Sequence, residues 1–384
     1  MAPKVLFVAT VDYHFKAFHL PYLKWFKEQG WEVHIAAAGT LELPFADKKY
    51  SLPIKRSPFH KDNAKAYYQL KELIDQNRYN LIHCHTPMGG ALGRLAARKA
   101  RKQGTKVLYT AHGFHFFSGA PFMNWLIYYP IEKILSSVTD CLITINEEDF
   151  QLAKRHRFKA GQIRHVHGVG VNTDRYHPID RDQKRLLRQK YGYNEQNFLL
   201  FYAAELNKNK NQQLLLNSLA KIKDQIPEAK LLLAGDGPLL LQCQQLAARV
   251  GVEQMVEFLG FRQDIEQLVK MSDLAVASSL REGLPVNIME AMACGLPVVA
   301  SDNRGHRELV EQDQNGWLIE KDNVDEFADR IKAIATNGNL KNQFGTLSQK
   351  KVLTFYSLQK VHREMSIIYQ EFMKETRNNV WIAQ

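Results

Sequence analysis

The chain has 384 residues, 45% of them hydrophobic and 24% charged, which supplies two ordinary domains with apolar cores. It shows no fixed-period repeat, no low-complexity tract and no uninterrupted apolar run of about 18 residues, which argues against solenoid, disordered and helical membrane-spanning classes. The net charge of +11 is one-sided: 25 Lys and Arg stand against 14 acids up to Arg175, and 26 against 26 beyond it. The first half is therefore expected to attract something anionic, whether a phosphorylated substrate, acidic headgroups or nucleic acid.

In chain order, the strand-like runs of the first half are "VLFVA", "EVHIAAA", "LIHCH", "KVLYTAH", "CLITI" and "IRHVH". Helix-like stretches lie between them, among them "AFHLPYLKWFKEQG", interrupted at Pro21, and "NWLIYYPIEKILSSV". "FLLFYAAEL", "KLLLAG", "VEFLG", "DLAVASS" and "PVVAS" repeat the theme in the second half, and "SLQKVHREMSIIYQEFMKE" reads as a long final helix. Short apolar strands alternating with amphipathic helices predict parallel sheets covered on both faces, hence an α/β chain of two Rossmann-like domains facing a cleft. We expect an N-terminal basic domain over 1–172, a polar linker over 173–192, a second domain over 193–355 and a C-terminal helix over 356–384 that crosses back to the first domain. "KVLFVAT" follows the start directly, so no signal peptide is expected. Cys84, Cys141, Cys243 and Cys294 are scattered and read as free thiols.

The stretch "REGLPVNIMEAMACGLPVVAS" over 281–301 sets Glu282 and Glu290 eight positions apart. A strand ending near Ser279 would lead through a loop into a helix with Pro285 in its first turn and Gly295 as its stop. The amides of Gly283, Leu284 and Val286 would then point out of the helix start, a ready anion site. A carboxylate on either side could accept hydrogen bonds from paired hydroxyls, one from a hexose and one from a ribose. That pattern suits a nucleoside-diphosphate sugar.

The same stretch, with "TAHGFHF", "HGVGVNTDRYHP", "ELNKNKN", "LAGDGPL" and "VEFLGFRQDI", resembles glycosyltransferase family 4 along essentially the whole chain. The segment "AHGFHFFSGAPFMNWLIYYPIEK" is most similar to members that build capsular or exopolysaccharide units on a lipid carrier. The resemblance implies the GT-B fold, no metal and no cofactor, and a retaining transfer of a hexose or N-acetylhexosamine from a UDP-sugar to a lipid-linked saccharide. It implies that Glu282 and His112 serve the reaction centre, with His115 as the rival histidine. It assigns Glu290 to the ribose, Gly283 and Leu284 to the donor sugar or phosphate, and Lys210 to the diphosphate.

Two departures stand out. Glu205 occupies the position where the family commonly has a phosphate-binding arginine, so Lys208 or Arg281 is expected to replace that charge. "VDYHFKAFH" replaces the usual glycine pair of the first loop and leaves Lys16 as a phosphate or acceptor contact. Phe261 or Arg262 is expected at the nucleobase, and Gly235 and Gly237 in a tight turn. Asp180 and Asp182 form an Asp-x-Asp better explained by chance than by metal. The expected partners are the nucleotide sugar, the lipid-linked acceptor and the anionic inner face of a cytoplasmic membrane, where the enzyme would sit peripherally. Nucleic acid lacks a supporting motif. A sugar-nucleotide epimerase and a non-catalytic sugar-nucleotide binder are the alternatives.

Overall fold

The computed structural model describes residues 2–382. The chain forms two compact units, one running to Val169 and resuming at Val361, the other spanning Gly170–Lys360. The long final helix, Leu358–Ile382, thus belongs to the first unit from its fourth residue onward.

The first unit is built on seven parallel strands: β1 (Lys4–Val11), β2 (Glu32–Ala38), β3 (Lys48–Ser51), β4 (Leu81–His85), β5 (Lys106–Ala111), β6 (Cys141–Thr144) and β7 (Gln162–His165). Their order is 3-2-1-4-5-6-7, so the winding reverses between β1 and β4. The central strands are apolar on both faces because helices cover both. Val5, Phe7 and Ala9 of β1 face one core, with Phe26, Trp31 and the final helix. Leu6 and Val8 face the other, with Leu70, Ile74 and Leu92. Glycines of the helix Pro87–Ala96 let it lie flush on the sheet: a Cβ at Gly89 would come within 2.6 Å of the Ala9 backbone.

The final helix supplies a stripe of Val361, Met365, Ile368, Tyr369, Phe372 and Met373, all buried. Their spacing of three and four residues follows one helical face. The Tyr369 hydroxyl lies 2.7 Å from His83 Nδ1 in the interior. Replacing Tyr369 by Phe is expected to leave that nitrogen without a partner and cost about 1–3 kcal/mol. Urea unfolding, read on the first unit, checks it.

The second unit holds six parallel strands: β8 (Phe198–Ala203), β9 (Ala229–Ala234), β10 (Val256–Gly260), β11 (Leu274–Ala277), β12 (Val298–Ser301) and β13 (Gly316–Ile319), in the order 10-9-8-11-12-13. Its winding reverses between β8 and β11. The loops at the carboxyl ends of those two strands are therefore neighbours, the usual setting of a ligand site in such sheets.

Several expectations need amendment. The break at "AFHLPYLKWFKEQG" falls at His19, not at Pro21, which sits in the first turn of the helix Leu20–Glu28, where a missing N–H costs nothing. The polar stretch 173–192 belongs to the second unit and carries the helix Arg181–Lys190. Asp180 caps that helix in a capping box with Gln183, and Asp182 pairs with Arg185 at 3.1 Å, so both acids have local structural work. Lys184 and Arg188 dock the helix on buried Asp273, whose carboxyl lies at about 2 although burial pushes it up, because Lys184, Lys341 and Arg188 surround it. All four cysteines are buried and free.

Candidate active site

In the second unit the loops after β8 and β11 are stitched together by backbone-directed bonds. Leu280 N donates to Asn209 O at 2.7 Å, Asn209 Nδ2 to Arg281 O at 3.0 Å, and Ser278 Oγ to Lys210 O at 2.7 Å. This holds the Lys210 ammonium 2.5 Å from Glu282 Oε1, a pair that is largely but not fully buried. The helix Val286–Ala293 follows, with Pro285 as its N-cap rather than its first residue. Gly295 closes it at φ +76°, a left-handed turn that glycine adopts freely. Gly283 and Leu284 form the approach to that helix, Leu284 buried, and Arg281 is exposed.

A neighbouring helix, Arg304–Leu309, buttresses the acid. Asn303 caps it, accepting from the Gly305 and His306 amides, and donates through Nδ2 to Ser279 O at 2.8 Å. Arg304 Nε donates to Glu282 O at 3.2 Å. Gly305 lies against Glu282 so closely that a Cβ would stand 2.7 Å from the Glu282 Cβ. Gly305→Ala is expected to displace Glu282 and cut turnover about 10- to 100-fold, since misplacement near 1 Å carries a cost of that order. Steady-state kinetics beside a melting curve would separate this from unfolding.

Glu290 lies half-buried inside the helix Val286–Ala293, and burial pushes its carboxyl up to about 7. The Tyr176 hydroxyl and the positive charge of Arg175 both pull the other way. Tyr176 and Arg175 come from "HGVGVNTDRYHP". The motif was legible in the sequence, but nothing local told that its aromatic residue would meet the second acid.

The remaining candidates divide. Glu205 accepts from Asn207 Nδ2 at 2.9 Å, and its backbone carbonyl accepts from Gln212 Nε2. Lys208 is exposed. Gly235 and Gly237 press backbone on backbone against the loop after β8: a Cβ would meet Ala204 O at 2.1 Å and Leu206 O at 2.4 Å, respectively. Those glycines shape the loop that carries Lys210. Arg262 grips Asp264 through two bonds of 2.8 and 2.5 Å, which hold the Asp264 carboxyl down at about 2. It follows the edge strand β10, two strands removed from β8, and is not brought to Glu282. Phe261 beside it is 78% exposed.

In the first unit, the carboxyl ends of β1, β4 and β5 gather His14, His19, His85 and His112. His112 Nε2 lies 3.4 Å from His85 Nδ1, and His19 Nε2 lies 3.0 Å from His14 Nε2. Burial lowers all four imidazoles, His14 to about 4, and for His19, His85 and His112 the neighbouring rings add to it. Thr86, just past β4, takes φ +62° and ψ +155°, a strained conformation for a β-branched residue. Its hydroxyl meets the Thr10 amide at 2.9 Å and the Thr10 hydroxyl at 2.7 Å, which hold it there. A cavity of about 430 Å³ opens beside it, lined by apolar Val11, Phe18, Met88 and Ile131 with Arg56 and His115. His115 stacks on Tyr128 at 4.5 Å. Lys16 is exposed and not part of that lining.

Comparison with known proteins identifies this arrangement. A family model described as glycosyl transferases group 1 matches residues 183–351, and one described as glycosyl transferase 4-like matches residues 4–146. The Bacillus subtilis (strain 168) protein "Putative glycosyltransferase EpsD" is 51% identical over 373 residues, covering 97% of this chain and 98% of that one. The chain belongs to glycosyltransferase family 4. The transferase is also 27% identical over 300 residues to an Escherichia coli enzyme, UDP-Gal:alpha-D-GlcNAc-diphosphoundecaprenol alpha-1,3-galactosyltransferase, covering 77% of this chain and 76% of that one. Its fold matches Anabaena Alr3699/HepE, solved in complex with UDP, at a TM-score of 0.78 and 20% identity, covering 97% of this chain and all of the other. The two-sheet architecture is therefore GT-B, as the resemblance implied.

Proposed function

We propose that the transferase moves a hexose or N-acetylhexosamine from a UDP-sugar to a lipid-linked saccharide, with retention, in capsular, exopolysaccharide or O-antigen-type synthesis. The observation that carries the reading is the Lys210–Glu282 pair at the mouth of the helix Val286–Ala293. A diphosphate arriving there would compete with Glu282 for the Lys210 ammonium. Exchange of that partner frees the Glu282 carboxylate for the sugar hydroxyls and gives the leaving diphosphate a cation, with Gly283 and Leu284 on the approach to the helix as the proposed backbone contacts to the donor. Glu290 takes the ribose hydroxyls, with Arg281 as a further cation, while Arg262 is better placed to hold Asp264 than a base. His112 is the proposed first-unit contact to the transferred sugar, on the family resemblance, with His115 and Lys16 toward the acceptor.

The named relatives support the donor and acceptor class: one uses UDP-Gal and a diphosphoundecaprenol acceptor, and another was solved with UDP. Purified transferase given a panel of UDP-sugars and a diphosphoundecaprenol-linked saccharide is expected to release UDP and extend the acceptor, with the anomeric configuration read by NMR. Failure of every UDP-sugar to raise the melting temperature would overturn the donor class.

The helix Phe122–Ser136 supports peripheral attachment to an anionic membrane. No helix among the described residues is long and apolar enough to cross one. This helix instead turns Phe122, Met123, Leu126, Ile131 and Ile134 outward while Trp125, Tyr128 and Tyr129 pack inward. Such a solvent-facing apolar stripe, on the half of the chain that carries the whole positive excess, suits the headgroup boundary. Replacing Leu126 and Ile134 together by Glu is expected to weaken binding to phosphatidylglycerol vesicles at least about tenfold, given ~1.5–3 kcal/mol per fully buried side chain. Co-sedimentation measures it, with phosphatidylcholine vesicles as the control.

A further inference from the structure

The second unit has a concave polar surface at the opposite end of its sheet from Lys210 and Glu282. Asn197 and Asp273 directly precede β8 and β11, whereas the loops of Lys210 and Glu282 follow those strands. A cavity of about 410 Å³ opens there, its lining carrying five Lys and Arg against three acids. Arg181 and Arg185 have acids of their own, Glu195 at 3.2 Å and Asp182 at 3.1 Å. Arg188, Lys184 and Lys341 share the Asp273 carboxylate, and it is full. Oδ1 accepts from both lysines at 2.9 and 3.2 Å, and Oδ2 from Arg188 at 2.5 Å and the Leu199 amide at 2.9 Å. Arg188 is buried and spends its other donors on backbone carbonyls. The two lysines are part-buried and keep donors to spare. Of the three N–H groups on each ammonium, Lys184 places one more on the Ser272 carbonyl at 2.7 Å, and Lys341 makes no other hydrogen bond among the described residues. Burial and the nearby charges of Arg188 and Lys341 hold the Lys184 ammonium below its ordinary value, against the pull of Asp273. Three cations around one filled carboxylate are a local excess of positive charge.

We infer that this cavity is an anion site of the second unit, in which Lys184 and Lys341 bind the phosphoryl group of a phosphate or phosphate monoester. A phosphoryl oxyanion accepts charge-assisted hydrogen bonds on several oxygens. It therefore takes the ammonium donors that the filled Asp273 cannot, and its charge relieves the crowding of like cations. Phe198, Ile226 and Ala335 form an apolar part of the lining, against which the carbon portion of an ester can rest. The site is a hollow between two helices, Arg181–Lys190 and Gly338–Lys351, and the starts of strands, which admits a small molecule rather than the face of a polymer. Occupation ties those two helices together through Lys184 and Lys341. It acts on the stability of the second unit, not on the chemistry at the other end of the sheet. This site is independent of the transfer reading.

Full-length protein is to be titrated calorimetrically with inorganic phosphate and, separately, with glucose 6-phosphate, chloride being the background anion in both. One equivalent is expected to bind and to raise the melting temperature. Lys341→Met is expected to keep the fold, because Lys184 and Arg188 still hold Asp273, and to weaken binding at least about tenfold, the worth of one charge-assisted hydrogen bond. Lys184→Gln provides a second test should the first variant fail to fold. Lys210→Ala, which alters the donor site, is expected to bind the anion as the parent does. Tighter binding of the ester assigns a phosphate monoester, and equal or weaker binding assigns free phosphate. Binding of neither anion, binding unchanged in a folded lysine variant of this cavity, or binding lost in Lys210→Ala would overturn the inference.

Discussion

Glu282→Gln is expected to lower turnover about 10²- to 10³-fold while leaving UDP binding nearly intact, the scale seen when one preorganised charge is taken from a reaction centre. The amide keeps the shape of the carboxylate but can no longer neutralise the Lys210 ammonium 2.5 Å away, nor accept two hydroxyl donors as an ion does. Lys210→Ala is expected to fail differently, losing nucleotide affinity as well as rate, because its cation faces the departing phosphate. Neither change is expected to unfold the unit, since partly exposed ion pairs contribute only about 0–1 kcal/mol. Rapid-quench turnover and UDP-induced melting shifts, measured on both variants, check the split. Glu282→Gln turnover within about threefold of the parent would remove Glu282 from the mechanism.

Glu290→Gln is expected to trade binding for stability in a pH-dependent way. Burial raises the Glu290 carboxyl from its ordinary 4.5 to about 7, so between those values the folded state holds a proton that the unfolded chain releases. Stability therefore falls as pH rises from about 4.5 to 7, and the full penalty, at most about 3 kcal/mol, stands above 7. Glutamine does not ionise. The variant is expected to melt several degrees above the parent at pH 8.5 and to lose that advantage at pH 5. Its nucleotide affinity is expected to drop about 10- to 100-fold at pH 8, where the ionised acid would accept both ribose hydroxyls, and to differ less at pH 5.5. Melting curves and calorimetric UDP titrations at the two pH values check both halves. A parent protein whose UDP affinity ignores pH between 5.5 and 8 would break the link.

The architecture was legible because buried parallel strands announce themselves as apolar runs. Every quoted run of the second half lies on a strand, while "KKYS" at the edge of the first sheet and "GWLI" at the edge of the second escaped notice. The first is polar and half-exposed, and the second is four residues long, so neither carries a strong pattern. The acidic pair was legible from spacing, the helix start from Pro285 and its end from Gly295. What spacing could not supply were the partners brought in through the fold. Tyr176 reaches Glu290 from over a hundred positions away, Gly305 backs Glu282 from a different helix, and the histidine cluster assembles from three strand ends. The misread of 173–192 as a linker has a simple cause. Its helix is polar almost all round, and its anchor, Asp273, is a lone buried acid.

The return of the last helix to the first unit bears on how the chain is made. Translation at about 5–20 residues per second leaves on the order of ten to forty seconds between completion of Val169 and arrival of Val361 at the ribosome. During that interval the face carrying Trp25, Phe26 and the ring edge of His83 stays wet and sticky. Nascent chains stalled short of the terminus are therefore the aggregation-prone species, and a chaperone that shields that face would act on the beginning of the protein until its end is born.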